Sequence, residues 1–301
     1  MHRVLITGAT GRVGREVVSQ LLGTDTHVRA LSRNSDFAGL PDGVETCVGD
    51  LTLPATLDPC LDGIDAVFLV WTAPAAAVPA VVERIAKHVR RIVFLSSPHQ
   101  TAHPLFQAAQ PNPMSAMQAE IERSIQASGL AWTFLRPGMF AANALGWWAP
   151  QIRSGDVVRW PYPLAVTAPI HERDIAAVAV LALRNPACDG AEYVLTGPQS
   201  LTHFEQVSII GDVLGRRLRF EEITPEEWRG EFKPLAVADM LLKAWSAAVG
   251  QPALVTSTVA SLLGTPPRAF REWVIDNEAG FHNSKAPATV VAVYPSKDRR
   301  R

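Results

Sequence analysis

Three glycines near the start of the chain, Gly8, Gly11 and Gly14, stand in the spacing G-x-x-G-x-x-G. An apolar run, Arg3–Thr7, precedes them and an amphipathic stretch, Arg12–Leu22, follows, so they fall between a predicted strand and a predicted helix. There the first glycine allows a tight turn, the second lets a ligand approach the backbone, and the third allows close packing of helix on strand. The exposed amides at the helix start then bind a pyrophosphate. The sequence therefore predicts a dinucleotide site, and the loop residues expected to contact the cofactor are Gly8, Thr10, Gly11, Arg12, Val13 and Gly14.

The end of the second apolar run bears on which dinucleotide binds. An acid at this position holds the ribose 2′-hydroxyl of NADH, whereas an arginine accommodates the 2′-phosphate of NADPH. The run ends in Arg33, no acid occurs before Asp36, and Arg12 supplies a second cation. We therefore expect NADPH, with NADH as the alternative. Asp50 and Leu51, which follow the third run, are expected on the adenine side; the competing interpretation of Asp50 is a turn cap.

The first two thirds of the chain alternate short apolar runs with helix-length amphipathic stretches. This alternation is typical of an α/β protein with a Rossmann-type, doubly wound parallel sheet. The predicted strands are Arg3–Thr7, Val28–Arg33, Thr46–Gly49, Ala66–Trp71, Arg91–Ser97 and Trp132–Pro137. The helices predicted between them are Arg12–Leu22, Val78–His88 and Met114–Ser128.

The pattern changes after Pro137, where prolines, glycines and aromatic residues become frequent. We predict an NADP-binding domain over residues 1–150, to which residues 165–185 return. A smaller, mostly helical substrate domain is expected over residues 186–280, packed on the carboxyl edge of the sheet. Residues 281–301 read as a solvated tail.

Composition excludes several classes of protein. Hydrophobic residues make up 48% and charged residues 19% of the 301, so the chain can bury a sizeable core. The formal net charge is −1 and the body of the chain has no basic block, which argues against nucleic-acid binding. Pro74 and Pro79 break the longest apolar stretch, so we expect no membrane span. No signal-peptide core precedes Gly8, and a cytoplasmic protein is predicted.

The three cysteines, Cys47, Cys60 and Cys188, show no CxxC spacing and have no nearby pair of histidines. That distribution predicts a reduced protein with neither a disulfide framework nor a metal site.

Several motifs together resemble a known family. The glycine spacing, the Gly-Asp after the third strand, Leu95-Ser96-Ser97 and Leu135-Arg136-Pro137-Gly138 resemble the short-chain dehydrogenase/reductases. Residues 127–138 and 170–176 are similar to the NmrA-like, atypical branch. The resemblance covers roughly residues 1–215. It implies a Rossmann domain, NADP(H), a substrate pocket between the sheet edge and the C-terminal part, and a nicotinamide bordered by Pro137 and Gly138.

Typical members of that family use a Tyr and a Lys four residues apart on one helix. The phenol then exchanges the proton that accompanies hydride. The only tyrosines here are Tyr162, Tyr193 and Tyr294, none is followed four residues later by lysine, and no lysine occurs between Lys87 and Lys233. The usual catalytic pair is absent.

Three functions are compatible with that absence. The first is a reductase whose reaction centre is lined by Ser96, Ser97, His99 and Gln118, with the proton supplied by substrate or solvent. His99 is the side-chain alternative as proton donor, and Gln118 would bind the ribose in place of the lysine. The second is a redox sensor that binds the dinucleotide without turnover. The third is a quinone reductase, whose electron-poor acceptor has little need of an acid.

Eight tryptophans are many, and Trp147-Trp148 fall in the segment expected to fold over the nicotinamide. Such rings make good walls for a planar, polycyclic substrate. The helices around Trp228 and Trp245 could form a lid. Arginine outnumbers lysine 23 to 5, as in a GC-rich coding sequence. In this composition the chain resembles ketoreductases of angucyclinone antibiotics, so the expected substrate is a ketone of an aromatic polyketide. The protein is expected to be a monomer or a homodimer.

Overall fold

A parallel sheet at the centre of the fold carries helices on both faces. The structure is a computed structural model that describes residues 2–34, 39–99, 101, 113–232 and 235–282. Its strands are β1 (His2–Thr7), β2 (Thr26–Ser32), β3 (Glu45–Val48), β4 (Ala66–Leu69), β5 (Arg91–Leu95), β6 (Ala131–Pro137), β7 (Val157–Trp160), β8 (Val166–Thr167), β9 (Ala191–Leu195), β10 (Leu201–Thr202) and β11 (Arg219–Glu222). Seven of them form one sheet in the order β3-β2-β1-β4-β5-β6-β9, and every neighbouring pair is parallel. The predicted Rossmann-type fold is confirmed.

The helices connect these strands and build the C-terminal part. They are α1 (Arg12–Leu22), α2 (Asp58–Leu61), α3 (Val78–His88), α4 (Pro113–Ala127), α5 (Asn143–Trp147), α6 (Ala149–Ser154), α7 (Glu172–Arg184), α8 (His203–Val213), α9 (Pro225–Glu231), α10 (Leu235–Ala247), α11 (Thr258–Leu263) and α12 (Phe270–Asp276). Within the described ranges, no helix combines the length and the apolar character that crossing a bilayer requires.

The central strands are buried on both faces, which explains their continuous apolar runs. On one face, Val4 and Ile6 of β1 pack with Val17 of α1 and Ile175 of α7. On the other face, Leu5, Val67 and Phe94 pack with α3 and α4 through residues such as Val81 and Ile121. Because the helices run back against the strands, the carboxyl ends of all seven strands meet at one edge, where a doubly wound sheet binds its ligand.

The predicted boundary between the two domains differs from the structure. Strand β9 was expected within the 186–280 domain, but it pairs with β6 and completes the main sheet. In the other direction, α5, α6 and β7 share an apolar core with α8, α9 and α10, so residues 141–160 belong to the smaller unit. That unit also contains the pairs β7–β11 and β8–β10. The predicted tail, residues 281–301, starts too early, because Phe281 is buried in the core of the smaller unit. From residue 283 onward the predicted tail lies outside the described residues.

Two of the cysteines form a disulfide, which corrects the prediction of a fully reduced protein. Cys47 of β3 and Cys60 of α2 are bonded, with their Cα atoms 5.6 Å apart. The chain folds back from the edge strand into α2, a proximity that the spacing of 13 residues does not reveal. Cys188 is a free, buried thiol.

Candidate active site

The glycine loop connects β1 to α1 in the conformation that the motif requires. Gly8 has φ +62°, in the left-handed region that favours glycine. A Cβ at Gly14 would lie 2.1 Å from the carbonyl oxygen of Gly8, closer than any side chain can approach. The Gly11 amide donates to the same carbonyl over 2.9 Å and closes the turn. The loop therefore presents its backbone at the carboxyl edge of β1.

The start of α1 fits an anionic cofactor. No side chain caps the helix at Gly11 and no acid occurs in its first turn, so its first amides remain for a phosphate. Arg12 and Arg33 are exposed at this edge, and neither forms an ion pair with any residue that the structure describes. Both arginines are therefore available to bind the phosphates of the cofactor, as predicted from the sequence.

At the end of β3, Asp50 performs the structural role that was its competing interpretation. One carboxylate oxygen accepts the Thr52 amide over 2.8 Å, and the Asp50 amide in turn donates to the hydroxyl of Thr56 over 2.9 Å. Leu51 is buried beneath this turn. Asp50 is half-buried at the carboxyl edge, so the expected contact with adenine stays a prediction.

Two of the predicted catalytic side chains are directed at a buried carboxylate. The hydroxyl of Ser96, just past β5, donates to Glu122 of α4 over 2.6 Å. The Nδ1 of His99 lies 2.9 Å from the carbonyl oxygen of Ser97, so it must carry a proton to bond there. Its Nε2 lies 3.5 Å from the carboxylate of Glu122, and the side chain is only 4% exposed. Ser97 itself is half-buried, and its hydroxyl has no bonding partner in the described part of the chain.

Glu122 is a residue that the sequence analysis missed, and Arg136 explains its burial. The guanidinium of Arg136 donates to both carboxylate oxygens of Glu122, and also to Glu192 over 2.6 Å. Burial acts to lower the pKa of Arg136, but the two carboxylates together raise it above its ordinary value. The signal in the sequence was Arg136 itself, because a cation inside an apolar strand requires a buried counter-charge.

Gln118 lies on α4, one turn before Glu122, and therefore closer to the carboxyl edge. Its amide oxygen is buried without a hydrogen-bond partner in the described structure. An orphaned acceptor of this kind fits a ribose hydroxyl. Pro137 is buried at the end of β6, and the Gly138 amide donates to the Leu195 carbonyl over 2.9 Å. A nicotinamide carboxamide bound here would therefore use another backbone group.

A second buried acid, Glu172, links the glycine loop to the smaller unit. It begins α7, and its carboxylate accepts the indole N–H of Trp273 over 2.8 Å. Burial raises the pKa of Glu172, while the nearby positive charge of Arg12 partly offsets that effect. The carboxylate of Asp174 accepts two hydrogen bonds from Arg268, one from the backbone amide and one from the guanidinium of that arginine. These contacts hold α12, the last helix of the smaller unit, beside the glycine loop.

The tryptophans expected to wall a substrate pocket form a core instead. Trp148 is fully buried, and Trp147 packs against it with ring centroids 5.9 Å apart. Trp147 also contacts Trp160 and Trp245, so the adjacent pair faces the interior of the smaller unit. His203 is enclosed by the same rings, and burial lowers its pKa to about 4. Trp228 and Trp245 belong to this core too, so neither ring is an exposed wall of the cleft, and a lid formed by their helices stays a prediction.

Comparisons with known proteins agree with this geometry. A model of the NAD(P)H-binding family matches residues 8–186. The (4-alkanoyl-5-oxo-2,5-dihydrofuran-3-yl)methyl phosphate reductase of Streptomyces griseus is 37% identical over 292 residues, which cover 92% of this chain and 99% of the relative. The NAD(P)H azoreductase of Xenophilus azovorans is 33% identical over 92% of this chain and 99% of its own length.

Solved structures share the fold. The NADPH-dependent quinone oxidoreductase of Escherichia coli superposes with a TM-score of 0.75 at 22% identity, covering 91% of this chain and 99% of that one. The triphenylmethane reductase of Citrobacter sp., complexed with NADP(H), gives 0.74 at 18% identity and the same coverage. The chain therefore belongs to the NAD(P)H-binding, NmrA-like family of atypical short-chain dehydrogenase/reductases, and it is an NAD(P)H-dependent reductase.

Proposed function

We propose that this protein is an NADPH-dependent reductase of conjugated carbonyl compounds, in which the proton comes from the substrate or the solvent. The observation that carries the proposal is where the side chains of Ser96 and His99 point. Ser96 donates its hydroxyl to Glu122, while His99 is bonded through Nδ1 to the Ser97 carbonyl oxygen and its side chain is only 4% exposed, with Nε2 3.5 Å from Glu122. The sequence offers no Tyr and Lys at the family's spacing to replace them. A reductase without a positioned side-chain acid needs an acceptor that stabilises negative charge by itself.

The chemistry follows from the residues that remain available. Bound NADPH supplies the hydride. The glycine loop and Arg33 fix the phosphates, and the orphaned oxygen of Gln118 accepts a ribose hydroxyl. The hydroxyl of Ser97, which has no hydrogen-bond partner among the described residues, orients the substrate carbonyl at the sheet edge. Conjugate addition of hydride to an unsaturated lactone gives an enolate and hydride transfer to a quinone gives a phenolate, and these delocalised anions take their proton from water. Addition of hydride to the carbonyl carbon of an aryl ketone gives an alkoxide, which a neighbouring phenol of the substrate protonates.

The first candidate substrate is an aromatic polyketide ketone with a phenol beside the carbonyl, because the phenol can supply the proton. The names of the relatives support the broader class, since a furanone phosphate, an azo compound and a quinone are all conjugated acceptors. A small conjugated lactone and a simple quinone are therefore the competing substrates. The relatives are named reductases, which disfavours the non-catalytic sensor.

Oxidation of NADPH, followed at about 340 nm, tests the proposal against four classes of acceptor. These are phenolic polycyclic ketones, the same ketones without the phenol, conjugated lactones, and simple quinones, with an isolated aliphatic ketone as control. Turnover on conjugated acceptors but not on the aliphatic ketone is expected. A preference for the phenolic ketones supports the polyketide assignment, and a preference for quinones supports the alternative. NADP⁺ binding without oxidation of NADPH by any acceptor would overturn the proposal.

A further inference from the structure

The disulfide Cys47–Cys60 encloses the loop at the carboxyl end of β3. This strand is the edge of the sheet, and the segment between the two cysteines contains Gly49, Asp50 and Leu51. These three residues lie where the adenine half of the cofactor is expected. The disulfide therefore joins the two ends of a loop that is predicted to contact the cofactor.

The loop is packed closely on the disulfide. The Gly49 amide donates to the Ser32 carbonyl over 2.9 Å, which fixes the loop on β2. A Cβ at Gly49 would lie 3.4 Å from Cys60 Sγ and 3.1 Å from a methyl group of Leu31. Cys60 Sγ also lies 3.5 Å from the Val48 carbonyl oxygen. Two reduced sulfurs must separate to van der Waals contact, and the space around Cys60 is already filled.

The two sulfurs differ in access. Cys60 is fully buried, whereas Cys47 is half-buried on the exposed edge strand. An external oxidant or thiol therefore reaches Cys47 first, and Cys60 resolves the product from inside. An accessible sulfur paired with a buried resolving sulfur is the arrangement of a reversible thiol-oxidation site.

We propose that Cys47 and Cys60 form a thiol-oxidation site that sets the affinity for NADP(H), with the disulfide form binding the cofactor more tightly. The oxidant is hydrogen peroxide. The Cys47 thiol gives its proton to the solvent, the thiolate attacks one peroxide oxygen and the O–O bond breaks, and the departing hydroxide takes a proton back from the solvent, so that a sulfenic acid and one water form. Cys60 then attacks the Cys47 sulfur, the S–O bond breaks, and hydroxide leaves with the Cys60 proton as a second water. Two electrons pass from the two sulfurs to the peroxide.

The physical reason for the difference in affinity is the ordering of the loop. The disulfide holds residues 48–59 at both ends, so the cofactor meets a loop that is already ordered. In the dithiol form, binding must order the loop and repack Cys60. We expect the dissociation constant for NADP⁺ to be roughly fivefold higher in the dithiol form. By linkage, bound NADP⁺ makes the disulfide harder to reduce by the same factor, or about 20 mV for a two-electron couple.

The experiment measures NADP⁺ binding by isothermal titration calorimetry on the full-length protein. One sample is reduced with dithiothreitol, the other is oxidised with hydrogen peroxide and desalted, and free thiols are counted under denaturing conditions. The reduced sample should show three thiols and the oxidised sample one, since Cys188 is free. Cys47→Ser should bind like the reduced form in both conditions. Cys188→Ala is the matched control and should respond to oxidation as the wild type does.

Equal affinity of the two forms, or three free thiols after peroxide treatment, would overturn the proposal. It rests on the placement of the cofactor and not on the proposed substrate. Failure of both forms to bind NADP⁺ would overturn it together with the cofactor assignment. Turnover of an acceptor other than the proposed one would overturn the substrate assignment but not the thiol-oxidation site. Failure of the proposed function and failure of this proposal are therefore distinguishable.

Discussion

The hydroxyl of Ser96 donates to the carboxylate of Glu122 over 2.6 Å, and both residues are buried. This bond turns the serine at the end of β5 away from the cleft and makes it part of an internal polar network. The same carboxylate neutralises Arg136 and lies beside His99. The region that resembles a catalytic centre in the sequence is therefore largely a structural cluster, and Ser97 is its accessible member.

Removing the charge of Glu122 should destabilise the fold. Glu122→Gln leaves Arg136 buried with only the half-exposed Glu192 as counter-charge. We expect a loss of roughly 3 kcal/mol in the free energy of unfolding, measured by urea denaturation. Glu120→Gln, on the same helix in an exposed pair with Arg123, is the matched control and should lose less than about 0.5 kcal/mol. Similar losses in both variants would contradict the role given to Glu122.

A side chain at Gly14 should disrupt the phosphate loop. The added Cβ of Gly14→Ala would lie 2.1 Å from the Gly8 carbonyl oxygen, so α1 must move away from β1. We expect at least tenfold weaker NADP⁺ binding in calorimetry and a stability loss of about 1–3 kcal/mol. Gly23→Ala at the other end of α1, where the nearest atom is 3.6 Å away, serves as the control. Unchanged NADP⁺ affinity in Gly14→Ala would be incompatible with the proposed site.

The preference for NADPH should depend on Arg33. If its guanidinium binds the 2′-phosphate, Arg33→Ala removes a charge-assisted hydrogen bond worth about 1.5–3 kcal/mol. The dissociation constant for NADP⁺ should then rise roughly tenfold or more, while that for NAD⁺ changes little. Both constants can be measured by titration of the same variant. If the dissociation constants for NADP⁺ and NAD⁺ rise by the same factor, Arg33 does not bind the 2′-phosphate.

The buried His203 should make the protein sensitive to acid. Burial lowers the pKa of His203 from its ordinary value of 6.5 to about 4, so between these pH values the unfolded chain binds a proton that the folded chain does not. Stability should therefore fall as the pH drops from about 6.5 towards 4, by roughly 3 kcal/mol for this group. His203→Phe keeps a ring among the indoles but cannot titrate. Urea denaturation at pH 7 and pH 4.5 should show a smaller loss in the variant, and equal losses would refute the assignment.

The elements that position the site could be predicted from the sequence because their apolar runs are uninterrupted. The predicted bounds of α1 and α3 coincide with the observed helices. The glycine loop was recognisable because its spacing and its flanking elements both come from local sequence.

Other features depend on contacts between distant residues. Strand β9 lies at an edge and is partly polar, so its sequence does not say which sheet it joins. The Cys47–Cys60 pair arises from a fold-back that no spacing rule encodes. Glu122 looks like an ordinary charged helix residue until Ser96 and Arg136 approach it from the sheet. The position of Trp148 was misjudged because its segment, although rich in Pro, Gly and aromatic residues, folds into α5 and α6, whose apolar side chains pack into a core.

The most direct test of the account is the turnover number of the double variant Ser97→Ala/His99→Gln with NADPH and the best conjugated acceptor. Calorimetry with NADP⁺ confirms that the variant still binds the cofactor. Without a side-chain acid, its turnover number should stay within about tenfold of the wild type. A loss near a thousandfold, with NADP⁺ affinity unchanged, would identify a catalytic acid among these residues and contradict a proton supplied by substrate or solvent.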